Sequence, residues 1–262
     1  MSADAYLNHA REILNEVQSK QRQAIQAAGE KMAESIAAGG RVYVFGSGHS
    51  VIPVMDIFPR YGSFVGFFPL YDPRLMWNNV IGPGGARELL WLERKEGYVK
   101  VFLQSYPLEA RDCMLVFSHG GMNAAPIEVA LEARSKGLTV ITVSSHRNAR
   151  LAQATHSSGK KLSDTAHIAI DNCVVPEDAL VDVGQIERVA AGSTLAAVAI
   201  AMSLVAETAA QLARKGGVPP TFVSPNVPGV SPGHMDRVYD AFTRFYYARN
   251  FTGTDSGMKC EK

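Results

Sequence analysis

The sequence predicts an α/β domain: a doubly wound, five-stranded parallel sheet in the flavodoxin-like order 2-1-3-4-5, with helices on both faces and a long N-terminal helix. Two observations predict it. Short apolar strands alternate with helical stretches, which implies a parallel sheet covered on both sides. Five such strands joined by right-handed crossovers give the doubly wound order. A length of 262 residues at 47% apolar is ample to bury the core that this fold needs.

Each element follows from its residues. Residues 3–38 keep helical spacing without proline and stop at Gly39-Gly40. Arg41–Phe45 (RVYVF) is the first strand, ending at a glycine loop, and Phe64–Phe68 is the second. The stretch GARELLWLERKEGYVKVFLQSY reads as helix with a break at Gly97, entered through the loop GPGGA. Met114–Ser118 is the third strand, Ala124–Lys136 a helix closed by Gly137, Leu138–Ser144 the fourth strand and His167–Asp171 the fifth. A long helix from about 192 to 215, a Pro-rich loop and a helix from about 234 to 249 complete the chain. The domain organisation expected is an N-terminal helical segment (1–40), one α/β domain (41–250) and a tail (251–262).

Composition excludes several classes. Lys plus Arg number 26 against 25 Asp plus Glu, a net charge of +1 that offers no field for nucleic acid or anionic lipid. Three cysteines, Cys113, Cys173 and Cys260, lack the paired spacing of a disulfide framework or zinc cluster. The N-terminus carries charge where a signal peptide has its apolar core, so a cytoplasmic protein is expected. Val189–Ala206 runs 18 residues without charge, but seven are Ala and four are Gly, Ser or Thr. It reads as a buried helix built for close packing rather than a membrane span.

The predicted strand order places the ligand crevice between the loops after strands 1 and 3, Gly46–Ser50 and Ser118–Asn123. The first loop, GSGHS, is no dinucleotide fingerprint, because Val51 stands where a third glycine is required, and no Lys-Ser/Thr pair makes it a P-loop. No GxSxG elbow follows a predicted strand; the one GxSxG match, Gly229–Gly233, lies in the Pro-rich loop. Glycines that admit close backbone approach, helix N-termini, and Ser and Asn side chains suit a small anion or a sugar.

These loops resemble those of the SIS (sugar isomerase) domain family, in which GxGxS and SxSGxT loops surround a phosphosugar. Gly46, Ser47, Gly48, His49 and Ser50 match the first; Ser118, His119, Gly120, Gly121, Met122 and Asn123 match the second. The stretches Phe45–Ser50, Leu92–Tyr98, Pro126–Gly137, His156–Leu162 and Ile170–Cys173 are similar to a branch of sugar isomerase and phosphosugar-binding proteins within it. Two positions depart from the pattern: Gly120 replaces a serine and Asn123 a threonine. Loss of one neutral hydrogen bond at Gly120 weakens phosphate binding by up to about tenfold, unless His119 or Lys160 compensates.

The resemblance implies an aldose–ketose isomerase of sugar phosphates acting through an enediolate, in carbohydrate or amino-sugar metabolism. That chemistry needs a base, a ring-opening acid/base and oxyanion donors. His49, at a helix head whose dipole favours neutral imidazole, is one candidate. Glu93 is the candidate base, three residues from Glu96 on an expected common helical face. Asp56, on the helix after the first loop, is an alternative acid with a competing Arg60 partner. His156, a further catalytic candidate, and Lys160, in HSSGKK, are expected to contact substrate in their own subunit or a neighbour's, and Ser193 and Thr194 at the head of the long apolar helix are expected near it too. Neither metal nor cofactor is called for. The resemblance also implies a homodimer or homotetramer with shared sites. The rival readings are a non-catalytic phosphosugar-binding regulator and a sugar-phosphate lyase or etherase.

Overall fold

The computed structural model describes residues 1–76 and 85–249. Its main sheet has five strands, β1 (Val42–Gly46), β2 (Phe67–Pro69), β3 (Cys113–Phe117), β4 (Thr139–Ser144) and β5 (Ile168–Asp171). They lie in the order β2-β1-β3-β4-β5 with every pair parallel. The order reverses between β1 and β3, as expected, so the loops leaving these strands flank the switch point.

The strands alternate their side chains between two apolar layers. Val42, Val44, Leu115, Phe117, Ile141 and Val143 join one layer, shared with α2 (Arg22–Ala37), α3 (Val51–Ile57) and α8 (Ser193–Arg214). Tyr43, Phe45, Met114, Val116 and Val140 join the other, shared with α4 (Gly85–Leu92), α5 (Tyr98–Leu103) and α6 (Ala124–Ser135). Central β1 and β3 are buried at every position, whereas edge strand β5 is only half covered.

The N-terminal helical segment is two helices, α1 (Ser2–Lys20) and α2, separated at Gln21. Gln21 leaves helical geometry with φ −107° and ψ 1°, and its side chain accepts the Asp171 N–H at 3.0 Å. Gly29, inside α2, costs helix propensity of about 1 kcal/mol, but a Cβ there would lie 2.5 Å from Glu207 Cγ of α8. The glycine therefore sets how closely α2 and the alanine-rich α8 approach. By length and composition α8 could cross a membrane. Its buried residues, Ala196, Ala197, Ile200, Ala201, Leu204, Val205, Thr208 and Leu212 among them, form one stripe against the sheet.

Other boundaries move for identifiable reasons. The second strand begins at Phe67, because Phe64 makes an antiparallel bridge to Thr221 and Gly66 takes φ +155°. The first three residues of the charge-free stretch are not helical. Val189–Ala191 is strand β7, paired antiparallel with β6 (Ala179–Val181) in a hairpin the sequence did not announce. A short helix α7 (His146–Leu151) follows β4, and α9 (His234–Tyr247) closes the chain. The helix expected across LERKEGY stops at Leu92 and restarts after Gly97, which takes φ +88°. Most of the GPGGA loop, the tail 251–262 and Cys260 lie outside the described residues.

Candidate active site

The first loop is shaped by its glycines. A Cβ on Gly46 would sit 2.1 Å from the Ser50 carbonyl oxygen, and Gly48 adopts φ +59°. The Gly48 N–H donates to the Leu75 carbonyl at 2.8 Å, tying the loop to the segment after β2. Ser47 turns inward, and its hydroxyl donates to Glu93 Oε2 at 2.8 Å.

Glu93 is 6% exposed, and burial pushes its carboxyl above the usual carboxylate range, only partly offset by the Ser47 hydroxyl and by Arg94. Its main-chain carbonyl accepts the Ala125 N–H at 2.9 Å, in the first turn of α6. One residue thus touches the first loop through its side chain and the helix behind the second loop through its backbone. Glu96 does not share a helical face with it. Beyond the end of α4, Glu96 turns outward, where it accepts the Ser157 N–H at 2.7 Å and the Ser157 hydroxyl. These two bonds hold its carboxyl below the usual range.

In the second loop, Ser118 Oγ accepts the Gly121 N–H at 3.2 Å, and Gly121 takes φ +66°. Gly120 is different: a Cβ there would meet only Asn148 Nδ2, at 3.9 Å. Asn123 stands at the N-cap of α6, and its side chain makes no capping bond. His119 is fixed by a chain of neutral partners. The Val174 N–H donates to Asn172 Oδ1 at 3.0 Å, which turns the Asn172 amino group toward His119 Nδ1 at 3.1 Å. Nδ1 therefore accepts, and Nε2 donates to the Pro176 carbonyl at 3.2 Å. His119 is a wall of the site with both ring nitrogens engaged by protein partners.

On the opposite wall, the head of α8 carries an anion of its own. Asp178, at φ +64°, accepts the Gly192 and Ser193 N–H groups at 3.0 and 2.7 Å and the Ser193 hydroxyl at 2.7 Å. A narrow cleft lies between these walls, and His49, Ser50, Ser118, His119, Ser193 and Thr194 border it together with Asn172. His49 is exposed there.

Three candidates lie elsewhere. Asp56 pairs with Arg60 at 2.5 Å and borders a separate groove with Tyr61, Phe222 and Tyr239. Asp56 lies in the last turn of α3 and Arg60 just beyond its end, and the pair they form is local and at the surface. Lys160 is exposed in the loop after α7, bonded through its N–H to Ser158 Oγ at 3.3 Å. His156, in the same loop, faces Glu96 and Glu128 rather than the cleft. Sequence reasoning missed Asn172, Asp178 and Glu128. Asn172 lay inside a family-like stretch and could have been found. Asp178 reaches the α8 head only through a left-handed backbone 15 residues upstream, which no local pattern reveals. Among the described residues, no group of three His, Cys, Asp or Glu side chains is arranged to hold a metal ion.

Comparison with known proteins gives a consistent family. The SIS domain profile matches residues 5–145. A UPF0309 protein of Halalkalibacterium halodurans is 31% identical over 242 residues, 92% of this chain and 97% of that one. A UPF0309 protein of Streptomyces coelicolor is 33% identical over 253 residues, 94% of this chain and 98% of that one. Among solved structures, a phosphoheptose isomerase from Francisella tularensis superposes with a TM-score of 0.49 at 17% identity, over 79% of this chain and 95% of that one.

Proposed function

The chain belongs to the SIS domain family, and from that premise we propose that it is an aldose–ketose isomerase of a sugar phosphate, with Glu93 as the proton-transfer base. One observation carries the reading: a buried carboxyl, raised by desolvation, bonded to the loop at the switch point. A base poised nearer neutral pH than an ordinary glutamate can both take and return a carbon-bound proton. Glu93 removes the proton from the carbon beside the carbonyl, the electron pair forms the enediolate, and Glu93 returns a proton, partly exchanged with solvent, to the neighbouring carbon. Ser47 orients the carboxylate. His49 at the cleft mouth moves the hydroxyl proton that accompanies ring opening and the exchange between the two oxygens.

The ligand phosphate belongs at the second loop and the N-terminus of α6. The head of α8 already holds the Asp178 carboxylate, which satisfies its N–H groups and repels a second anion. Ser50, Ser118 and Asn123 supply neutral donors. Thr194 and the other α8 residues then face sugar hydroxyls.

We place the enzyme in the cytoplasm as a homodimer or homotetramer with sites close to the subunit contact. The β6–β7 hairpin that leads into Ser193 supports the oligomer: its tip is exposed throughout, including Ile186 at 98%. Light scattering on the purified protein tests that arrangement, and a monomer would remove it.

The test of function is a thermal-shift screen of sugar phosphates beside their free sugars, followed by NMR observation of turnover with the stabilising compound. Solvent deuterium appearing at the carbon beside the carbonyl, lost in Glu93→Gln, supports isomerisation. Binding without turnover favours a regulator, and release of a fragment favours a lyase.

A further inference from the structure

We infer that His156 and Glu128, with Glu96 beside them, form a second polar subsite that takes one hydroxyl group of a polyhydroxy ligand. The inference deepens the sugar-phosphate reading and rests on it for the identity of the whole ligand. The His156 side chain is 7% exposed, and its Nε2 lies 3.8 Å from Glu96 Oε2 and 3.8 Å from Glu128 Oε1. Nε2 and Glu128 Oε2 are both buried without a hydrogen-bond partner. A buried donor and a buried acceptor left unpaired cost stability unless a polar group reaches them.

The ring's other contacts identify what fits. Nδ1 accepts the Ser158 N–H at 3.1 Å and lies 2.8 Å from the Ser158 hydroxyl. The ring proton of the neutral imidazole therefore sits on Nε2, pointing toward the carboxylates. A metal ion needs the Nε2 lone pair, which this tautomer does not present. An ammonium group would set donor against donor at Nε2, and a phosphate would meet two carboxylates. A hydroxyl satisfies both orphans: its oxygen accepts from Nε2–H, and its hydrogen goes to Glu128.

The pocket also stands in the right place. Gly97 N–H donates to Glu128 Oε1 at 2.5 Å, so Glu128 is aimed by the turn that follows Glu93 and Glu96. Thr155, next to His156, donates its hydroxyl to the Met122 carbonyl of the second loop at 2.7 Å. Glu96, at 39% exposed, is the member of the cluster that solvent meets. A ligand anchored at the second loop can extend one hydroxyl into it.

The test compares glycerol 3-phosphate with D-glucitol 6-phosphate by calorimetry on the full chain. Wild type should bind the longer polyol about tenfold more tightly, the worth of one added hydrogen bond. Both Glu128→Gln, which keeps the acceptor for Gly97, and His156→Phe, which keeps the ring volume, should erase that difference while leaving glycerol 3-phosphate unchanged. A preference that survives in both variants overturns the inference. If wild type binds neither phosphate, the phosphate reading of the cleft fails on its own. The subsite is then read directly from the His156 Nε2–H resonance during titration with unphosphorylated D-glucitol to molar concentration. A shift that Glu128→Gln abolishes supports the subsite. An unmoved resonance means that only water bridges the pair, and the inference falls.

Discussion

The two glycine loops look alike in sequence and are built on different constraints. In the first, Gly46 has no room for a Cβ and Gly48 takes a left-handed backbone, so both residues are demanded by the fold itself. In the second, Gly121 is demanded by its backbone, but Gly120 has open space in front of it. Gly120 is therefore a choice about what the loop binds, whereas Gly46 is a condition for the loop's existence. Glu93 spans the difference, its carboxyl on the first loop and its carbonyl on the helix behind the second.

The largest effect that can break this comparison comes from Glu93→Gln. The amide keeps the acceptor for Ser47, so the first loop should stay intact while kcat falls by roughly 10²–10⁴ in the NMR assay. Its stability should move the other way with pH. Folding raises the pKa of Glu93, so the ionised form is disfavoured in the native state. Wild type is favoured below the usual carboxylate range and loses stability as pH climbs through the raised value. The Gln variant lacks that loss, so its melting midpoint should exceed wild type at neutral pH and converge with it in acid. A midpoint difference independent of pH would remove desolvation as the cause.

Gly46→Ala comes next. A methyl 2.1 Å from the Ser50 carbonyl forces the backbone apart, at roughly 1–3 kcal/mol or more. Calorimetry should show a midpoint lower by about 3–10 °C, together with lost ligand binding. Gly120→Ser should leave the midpoint within about 1 °C and raise affinity for a sugar phosphate by up to about tenfold, by restoring the hydroxyl of the family pattern. Destabilisation there would show that the second loop is as constrained as the first. The smallest effect belongs to Asp56→Asn on the exposed flank of α3. It breaks only the pair with Arg60, costs less than about 0.5 kcal/mol and should leave turnover unchanged; a large loss of rate would bring Asp56 back to the site.

Much of this was legible in the residues. The runs read as strands at Arg41–Phe45 and Met114–Ser118 are the central strands Val42–Gly46 and Cys113–Phe117, and glycine, serine and asparagine after each announced the crevice. Strand order pointed His49 and Ser118 to one crevice and the family resemblance pointed Ser193 and Thr194 to the sugar; all four border one cleft. Glu93 was singled out from a charged run without any sign that it would be buried. His156 was expected to touch substrate, and within its own chain it stands against Glu96 and Glu128.

The sequence by itself determined the strand order, the switch point and which loops open there, because hydrophobic periodicity and glycine placement act within a few residues along the chain. The tertiary structure alone decided which polar side chains are desolvated and which are spent on one another. Those outcomes depend on residues far apart in sequence meeting in space: Ser47 with Glu93, Asn172 with His119, Asp178 with Ser193, and Glu128 with His156. Burial and hydrogen bonding, not residue type, set the charge and availability of each group, and neither exists until the chain has folded.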